Sequence, residues 1–228
     1  MARRHAAADR AVVFALVSRL LRYPDEELVR DLPALAEATA TVPVAASAPL
    51  RRLCRHLAAT DLLDLQADYV ATFDLRRRNA LHLTYFAGGD TRRRGLALWR
   101  FADLYRRRGR HVADGELADF LPALLELAAE LPDDAEPLDA LIAHQAAVGL
   151  LGRSLADDAS PWADAVTALE AVMPRPSPSV LAAVDRLLAE GPPEEQVGLD
   201  PYSLPGMAPD GPAVLDPCLA QAAEGQSR

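Results

Sequence analysis

Residues 116–131 read ELADFLPALLELAAEL, and this stretch decides the predicted fold class. Its apolar residues recur at helical spacing and share one predicted face: Leu117, Leu121, Leu124, Leu125 and Ala128. Its acids form a stripe on the opposite face: Glu116, Asp119, Glu126 and Glu130. Apolar side chains three and four positions apart are typical of an amphipathic α-helix that packs one face on a core. We therefore predict a helix over 116–131, in which Pro122 either lies in the first turn or bends the helix.

The composition of the chain extends this prediction to an all-α protein. The 228 residues include 45 Ala and 37 Leu but 15 Val, 7 Thr and one Ile, so that 23 residues are β-branched. β-Branched residues favour strands, whereas Ala, Leu, Arg and Glu favour helices. The chain is therefore expected to be built from helices and not from a sheet.

Further helical patterns place one helical domain over residues 1–190. They cover about 12–23, 25–40, 47–57, 61–73, 91–108, 134–156, 161–173 and 178–190. Residues 81–86, LHLTYF, fit a short strand by their β-formers and a helix by their context, and both alternatives remain open. Residues 191–228 contain 7 Pro and 5 Gly with little periodicity, which is typical of a flexible tail. The predicted architecture is a single-domain helical bundle with a flexible C-terminal tail.

Patterns that carry catalysis or bind metal are missing, so we predict no catalytic residue, no metal ligand and no cofactor. The five histidines form no His-x-x-x-His pair, and the two cysteines lie far apart. The chain has no Gly-x-Ser-x-Gly elbow, and it contains no Lys for a phosphate-binding loop. No run approaches the roughly 18 apolar residues of a membrane span, and the N-terminus lacks a signal-like run. We expect a cytoplasmic protein that does not insert into the membrane.

The charges divide the chain into a basic and an acidic half. Residues 1–110 hold 20 Arg and 12 acids (+8), and residues 111–228 hold 4 Arg and 21 acids (−17). Between 76 and 110, 11 Arg meet 2 acids, an excess of +9. The helix start at 88–94 fits an anion contact, although a cap and a solvated Arg face also explain it. RNA binding with Tyr85 and Phe86 as stacking residues is another alternative, but the acidic remainder argues against a nucleic-acid partner.

Four segments carry a resemblance to a known family. They are YVATFDLRRR at 69–78, LHLTYF at 81–86, GDTRRRGLAL at 89–98 and ELADFLPALLE at 116–126. The first three resemble the central signature of the NarJ-type chaperones, which are nitrate reductase molybdenum cofactor assembly proteins also called the delta subunit. The fourth looks like their second signature, although Ala118 stands where Pro is usual and Phe120 where His is common. In layout the likeness covers about residues 10–190.

The resemblance implies a cytoplasmic, all-helical chaperone that is not an enzyme. Such chaperones bind the N-terminal segment of the catalytic α subunit of respiratory nitrate reductase. They keep the apo α–β complex competent for insertion of the molybdenum cofactor and the iron–sulfur centres before membrane docking. Proteins of molybdenum cofactor biosynthesis are the other partners that the resemblance implies.

We predict that the bound peptide lies as an amphipathic helix in an apolar groove. The candidate peptide-binding residues are Tyr69, Phe73, Tyr85, Phe86, Glu116, Asp119, Phe120, Leu121 and Glu126. Glu116 and Asp119 are expected to hold basic side chains of the peptide. A second candidate set comprises Asp74, Asp90, Arg92 and Arg94. Its two arginines are expected to organise the fold through ion pairs with Asp74, Asp90 or Glu126, or to contact an anion.

Two rival functions remain at this stage. One is a related chaperone that serves another molybdoenzyme or binds a twin-arginine signal peptide, against which the Gly-Asp-Thr-Arg-x-Arg-Gly run at 89–95 argues. The other is a protein that itself handles a guanine nucleotide or the molybdenum cofactor at the helix start over 90–94.

Overall fold

The structure is a computed structural model that describes residues 2–86, 91–113 and 115–190. For residues 2–5 and 91–93 it describes the backbone but not the side chains. Within these ranges the chain forms ten α-helices. They are α1 (Ala2–Leu20), α2 (Glu26–Ala38), α3 (Val44–Ala59), α4 (Leu62–Tyr69), α5 (Thr91–Arg106), α6 (Leu121–Glu130), α7 (Ala135–Ala143), α8 (Gln145–Asp157), α9 (Ala163–Val172) and α10 (Pro178–Glu190). The all-α prediction is confirmed. The tail predicted over 191–228 lies outside the described residues, and the division at residue 190 stays a prediction.

Short elements complete the described part of the chain. Two 3₁₀-helices cover Thr39–Thr41 and Arg77–Asn79, and a π-helical turn covers Val70–Asp74 directly after α4. One isolated antiparallel bridge joins His82 to Phe120. Among the helices described, none has both the length and the apolar character that a membrane crossing requires.

Helix α1 lies at the centre of the core. It packs mainly against α6 and α9, and also against α2 and α3. Val13, Phe14 and Val17 are almost completely buried, as the helical spacing of the apolar residues predicts. Ser18 is also buried, and its hydroxyl donates a hydrogen bond of 2.7 Å to the backbone carbonyl of Pro122. This bond joins α1 to the first turn of α6.

Helix α6 begins five residues later than the sequence pattern predicts. It starts at Leu121, with Pro122 in its first turn, where the missing N–H has no intrahelical acceptor to lose. Residues 116–120 are not helical, and the end of this segment pairs with the segment around His82. The Leu121 N–H donates to the Leu81 carbonyl at 2.8 Å, and the Leu83 N–H donates to the Asp119 carbonyl at 3.0 Å. The prediction of a helix from 116 is therefore wrong, and residues 81–86 form a bridge and a turn instead of a strand or a helix.

The helix predicted over 134–156 is divided into α7 and α8. His144, between them, has φ −107° and ψ 18°, which interrupts the helical backbone. Asp134 caps α7 by accepting a 3.0 Å hydrogen bond from the Glu136 N–H. By contrast, α2 continues through Pro33 as one undivided helix.

Ion pairs connect the basic half of the chain to the acidic half. At the end of α5, Arg107 and Arg108 bind Glu136, and Arg108 also binds Asp134 at 2.6 Å. Arg110 binds Glu130 at 2.9 Å. Arg22 binds Glu126, Arg52 binds Asp164, and Arg76 binds Asp158. The uneven charge distribution of the sequence thus corresponds to neighbouring and partly paired surfaces of one fold.

Candidate functional site

A cleft of about 720 Å³ opens beside the C-terminal end of α1. Its walls come from the π-helical turn, the segment at 80–85, the first turn of α5 and the segment at 116–120. The lining residues are Arg19, Arg22, Tyr23, Asp25, Tyr69, Phe73, Asp74, Arg77, Ala80, Leu81, His82, Tyr85, Arg94, Glu116 and Phe120. The cleft therefore combines an aromatic wall with charged groups of both signs.

The π-helical turn positions the aromatic wall. Its wider winding is visible in the hydrogen bond of 3.0 Å from the Leu75 N–H to the Val70 carbonyl, five residues earlier. The rings of Tyr69 and Phe73 lie 4.7 Å apart, and both pack edge-on against the buried Trp162. The Tyr69 hydroxyl donates to the Leu21 carbonyl at 3.0 Å, which ties this wall to the end of α1.

The phenol of Tyr69 stays protonated near neutral pH. Burial is the main cause that raises its pKa, and the charges of Asp74 and Glu116 raise it further, while Arg22 opposes them. Tyr69 therefore acts as a fixed hydrogen-bond donor to the backbone. Its ring supports the cleft without contributing a charge.

The segment around His82 is held by a buried carboxylate. Asp119 is 0% exposed, and one of its oxygens accepts hydrogen bonds from the Thr84 N–H at 2.9 Å and the Thr84 hydroxyl at 2.6 Å. Its other oxygen lies 3.2 Å from His82 Nδ1. Burial raises the pKa of Asp119, but the hydrogen bonds from His82 and Thr84 outweigh it and lower the pKa below the usual value.

A second cavity of about 350 Å³ adjoins the cleft. Both cavities are lined by Arg22, Glu116 and Phe120, and we call the two together the Phe120 groove. The further lining residues of the second cavity are Tyr105, Arg110, His111, Val112, Ala113, Ala123, Glu126, Leu127 and Glu130. Phe120 is 8% exposed and forms a common floor.

The rim of the second cavity carries paired charges. Arg22 binds Glu126, and Arg110 binds Glu130. Glu116 is exposed where the two cavities meet, and no ion pair to it occurs among the described residues. Glu116 is thus the rim carboxylate that is most available to a ligand.

Comparison with known proteins places the chain in a family. The sequence profile described as nitrate reductase delta subunit matches residues 40–168, which is more than half of the chain. The chain belongs to the nitrate reductase delta subunit family. The matched range contains the floor and most of the lining of the Phe120 groove.

Several curated proteins resemble this delta subunit family member. The nitrate reductase-like protein NarX of Mycobacterium tuberculosis H37Rv is 37% identical over 159 residues, which are 69% of this chain and 24% of NarX. The probable nitrate reductase molybdenum cofactor assembly chaperone NarJ of Bacillus subtilis is 34% identical over 53% of this chain and 66% of NarJ. The NarJ chaperone of Escherichia coli K12 is 36% identical over 53% of this chain and 52% of NarJ. The match thus spans about a quarter of NarX and about half to two thirds of the NarJ proteins.

The structure brings most of the predicted peptide-binding residues of this delta subunit family member to the groove. Tyr69, Phe73 and Tyr85 line the first cavity, Glu126 lines the second, and Glu116 and Phe120 line both. Their proximity is a structural fact, and their contact with a peptide stays a prediction.

Three other predicted residues line neither cavity of the groove. Phe86, Asp119 and Leu121 are buried beneath the surface. The direct contact predicted between Asp119 and a peptide is therefore wrong, because every atom of that side chain is shielded and its oxygens are occupied by Thr84 and His82.

The second candidate set is only partly described. Asp90 and the side chain of Arg92 lie outside the described residues. Asp74 and Arg94 both line the first cavity, and the Arg94 guanidinium carbon lies 5.6 Å from the centroid of the Tyr85 ring. Glu126, predicted as a partner of Arg92 or Arg94, pairs with Arg22.

Arg22, His82 and Tyr105 are among the groove residues that sequence reasoning missed in this delta subunit family member. Arg22 follows α1, His82 lies in the LHLTYF segment at 81–86, and Tyr105 lies on the apolar face of α5. The signal that could have identified Tyr105 is its hydroxyl, which lies on a helix face that otherwise consists of apolar groups. Among the described residues, no cluster of three His, Cys, Asp or Glu could hold a metal ion.

Proposed function

We propose that this protein is an assembly chaperone for respiratory nitrate reductase. It binds the N-terminal segment of the α subunit in the Phe120 groove and keeps the apo α–β complex competent for insertion of the molybdenum cofactor and the iron–sulfur centres before membrane docking. It acts in the cytoplasm and catalyses no reaction. Proteins of molybdenum cofactor biosynthesis are its further partners.

The observation that carries this proposal is the Phe120 groove within the range that matches the family. Two adjoining cavities of about 720 and 350 Å³ share an aromatic floor and a charged rim. An amphipathic helix binds such a groove by placing side chains from one face into successive pockets. The NarJ relatives, which are named as nitrate reductase molybdenum cofactor assembly chaperones, support the identity of the client.

The apolar part of the groove supplies most of the affinity. Each aliphatic or aromatic side chain that becomes fully buried contributes about 1.5–3 kcal/mol. The first cavity offers Phe73, Leu81 and the half-buried Tyr85 as contact surface, and Phe120 continues this surface into the second cavity. The walls are rigid because Tyr69 is bonded to α1 and Asp119 is bonded to Thr84. A preformed groove reduces the entropy that is lost when the peptide binds.

The charged rim supplies orientation. Glu116 can hold a basic residue of the peptide at the junction of the two cavities, in agreement with the sequence prediction for this residue. Exposed rim charges change the association rate and its salt dependence more than the affinity. We therefore assign specificity to Glu116 and affinity to the aromatic floor.

Isothermal titration calorimetry with a synthetic peptide of the α-subunit N-terminus tests the proposal. Tyr85→Ala should weaken binding about tenfold, because a large aromatic contact in the first cavity is lost. Leu63→Ala is the matched control: Leu63 is 79% exposed on α4 and lines neither cavity, so the affinity should not change. Glu116→Gln should weaken binding mainly at low salt, with the exposed Glu37→Gln on α2 as its control.

Two outcomes would contradict the proposal. If wild-type protein shows no heat of binding with the α-subunit peptide, the client is wrong. If the peptide binds but Tyr85→Ala binds it as well as Leu63→Ala does, the Phe120 groove is not the binding site. Capture of the α subunit from nitrate-grown anaerobic cells by wild type, and its loss with Tyr85→Ala, would support both statements together.

A further inference from the structure

The second cavity of the Phe120 groove contains a polar atom that the fold leaves without a partner. Tyr105 lines this cavity and is 4% exposed. Its hydroxyl has no hydrogen-bond partner among the described residues, and its oxygen has less than 1 Å² of solvent-accessible surface. A buried polar group without a partner destabilises the free protein, and nearly all such groups in folded proteins are paired. The cavity therefore favours a ligand that brings a complementary polar atom.

The walls next to Tyr105 are apolar. Phe120, Ala123 and Leu127 lie at spacings of three and four residues around the start of α6 and form one continuous surface. Val112 faces them from the segment after α5. Apolar walls of this kind favour the aliphatic part of a long side chain.

The charges around the cavity favour a cation. Three carboxylates line it, from Glu116, Glu126 and Glu130, against the two guanidinium groups of Arg22 and Arg110. Both guanidinium groups are bound to Glu126 and Glu130, and among the described residues Glu116 is the one carboxylate of this cavity without an ion-pair partner.

The same charges act on Tyr105 itself. Burial raises the pKa of the Tyr105 phenol, and the charge of Glu126 raises it further, against the opposing effect of Arg22. The phenol therefore stays neutral near neutral pH, and its oxygen can accept a hydrogen bond from an N–H donor.

We infer that the second cavity is a subsite for one lysine or arginine side chain of the bound segment. The aliphatic stem packs between Phe120 and Leu127, and the cationic head donates hydrogen bonds to the Tyr105 oxygen and to the Glu116 carboxylate. This inference rests on the proposed function, because it assumes that a peptide occupies the groove. It adds a specificity-determining residue, Tyr105, to the site.

A small probe tests the subsite without any peptide. n-Butylguanidinium copies the arginine side chain, and n-butylurea has the same shape without the charge. Titration followed by ¹H–¹⁵N NMR should show saturable shifts of the Ala123 and Leu127 amides with butylguanidinium at millimolar concentration. Butylurea should bind about tenfold more weakly, as the loss of charged hydrogen bonds predicts. Equal binding of the two probes would overturn the inference.

Two variants distinguish a direct effect of the Tyr105 hydroxyl on binding from an effect on folding. Tyr105→Phe keeps the ring and removes only the hydroxyl, and it should weaken butylguanidinium about tenfold while the near-UV spectrum stays unchanged. Glu116→Gln changes an exposed residue, so its fold is not at risk, and it should also weaken the cation but not butylurea. Unchanged butylguanidinium binding in both variants would refute the subsite.

The peptide experiment distinguishes failure of the subsite from failure of the proposed function. Each Lys and Arg of the α-subunit peptide is replaced singly by Met. One of these replacements should weaken the affinity of the peptide for the wild-type protein about tenfold, but should change its affinity for Tyr105→Phe little. If the peptide binds and every replacement costs the same in both proteins, the subsite assignment is wrong. If butylguanidinium binds while the peptide does not, the subsite stands and the proposed client is wrong.

Discussion

Replacement of Asp119 by Asn removes the buried carboxylate that joins two distant segments of the chain. The wild-type oxygens accept hydrogen bonds from the Thr84 N–H, the Thr84 hydroxyl and His82. An amide of the same shape keeps one acceptor oxygen but turns an N–H₂ group toward the remaining donors. Thr84 is 0% exposed, so the donors that lose their acceptor cannot turn to water.

The expected loss of stability follows from this geometry. A hydrogen bond to a charged group contributes about 1.5–3 kcal/mol. The two bonds from Thr84 are fully buried, whereas His82, at 29% side-chain exposure, can exchange its bond for water. The carboxylate also carries a burial cost that the neutral amide avoids, which offsets part of the loss. We therefore expect Asp119→Asn to lower the free energy of unfolding by about 2–4 kcal/mol.

Urea unfolding followed by circular dichroism at pH 7 measures this change. Asp164→Asn is the matched control, because Asp164 binds Arg52 at the surface, where an ion pair contributes less than about 1 kcal/mol. Thr84→Val should reproduce part of the effect of Asp119→Asn, and the double variant should cost less than the sum of the two. A loss below that of Asp164→Asn, or strict additivity with Thr84→Val, would refute the argument.

The pH dependence provides a second check on Asp119. Its pKa in the folded protein lies below the usual value of about 3.9 that applies in the unfolded chain. The stability that the carboxylate contributes is therefore fully present above about pH 4 and is lost as the pH falls through the folded pKa. The difference between wild type and Asp119→Asn should shrink in the same range. A difference that stays constant down to pH 2 would contradict the lowered pKa.

Three further substitutions test the packing of the fold by thermal or urea unfolding. Gly152→Ala should lower the free energy of unfolding by about 1–3 kcal/mol, because the new Cβ would lie 2.9 Å from Val166 Cγ1. Gly95→Ala in α5 meets nothing within 4 Å and should instead stabilise the protein by about 0.5–1 kcal/mol; the opposite order of the two would refute the packing of α8 on α9. Ser18→Ala should cost about 1–2 kcal/mol, because the Pro122 carbonyl loses its buried donor, and an unchanged midpoint would contradict the contact between α1 and α6.

Local patterns in the sequence account for most of the secondary structure. Helix α5, predicted over 91–108, begins at Thr91 and ends at Arg106. Gly109 follows with φ +65°, a left-handed conformation that glycine adopts without strain. The Arg-rich segment that precedes the acidic half is paired with acids of that half. Periodicity, capping residues and charge patterns extend over a few neighbouring residues, so they can be recognised in a single sequence.

Local sequence patterns are not sufficient to predict how the residues of the groove are arranged. Helical periodicity places Asp119 on the exposed face of a helix, yet residues 116–120 are held out of helical geometry by the bond between Leu121 and Leu81, forty positions apart. That pairing turns Asp119 inward and Phe120 into the floor of two cavities.

The helical class, the resemblance to a family and most of the aromatic floor are thus properties of the sequence. The inward orientation of the Asp119 side chain, the position of Arg22 beside both cavities and the cavity beside Tyr105 arise from the tertiary structure. Their physical reason is that each depends on backbone groups and side chains from segments far apart in the sequence, which meet only in the folded chain, and no local pattern contains such contacts.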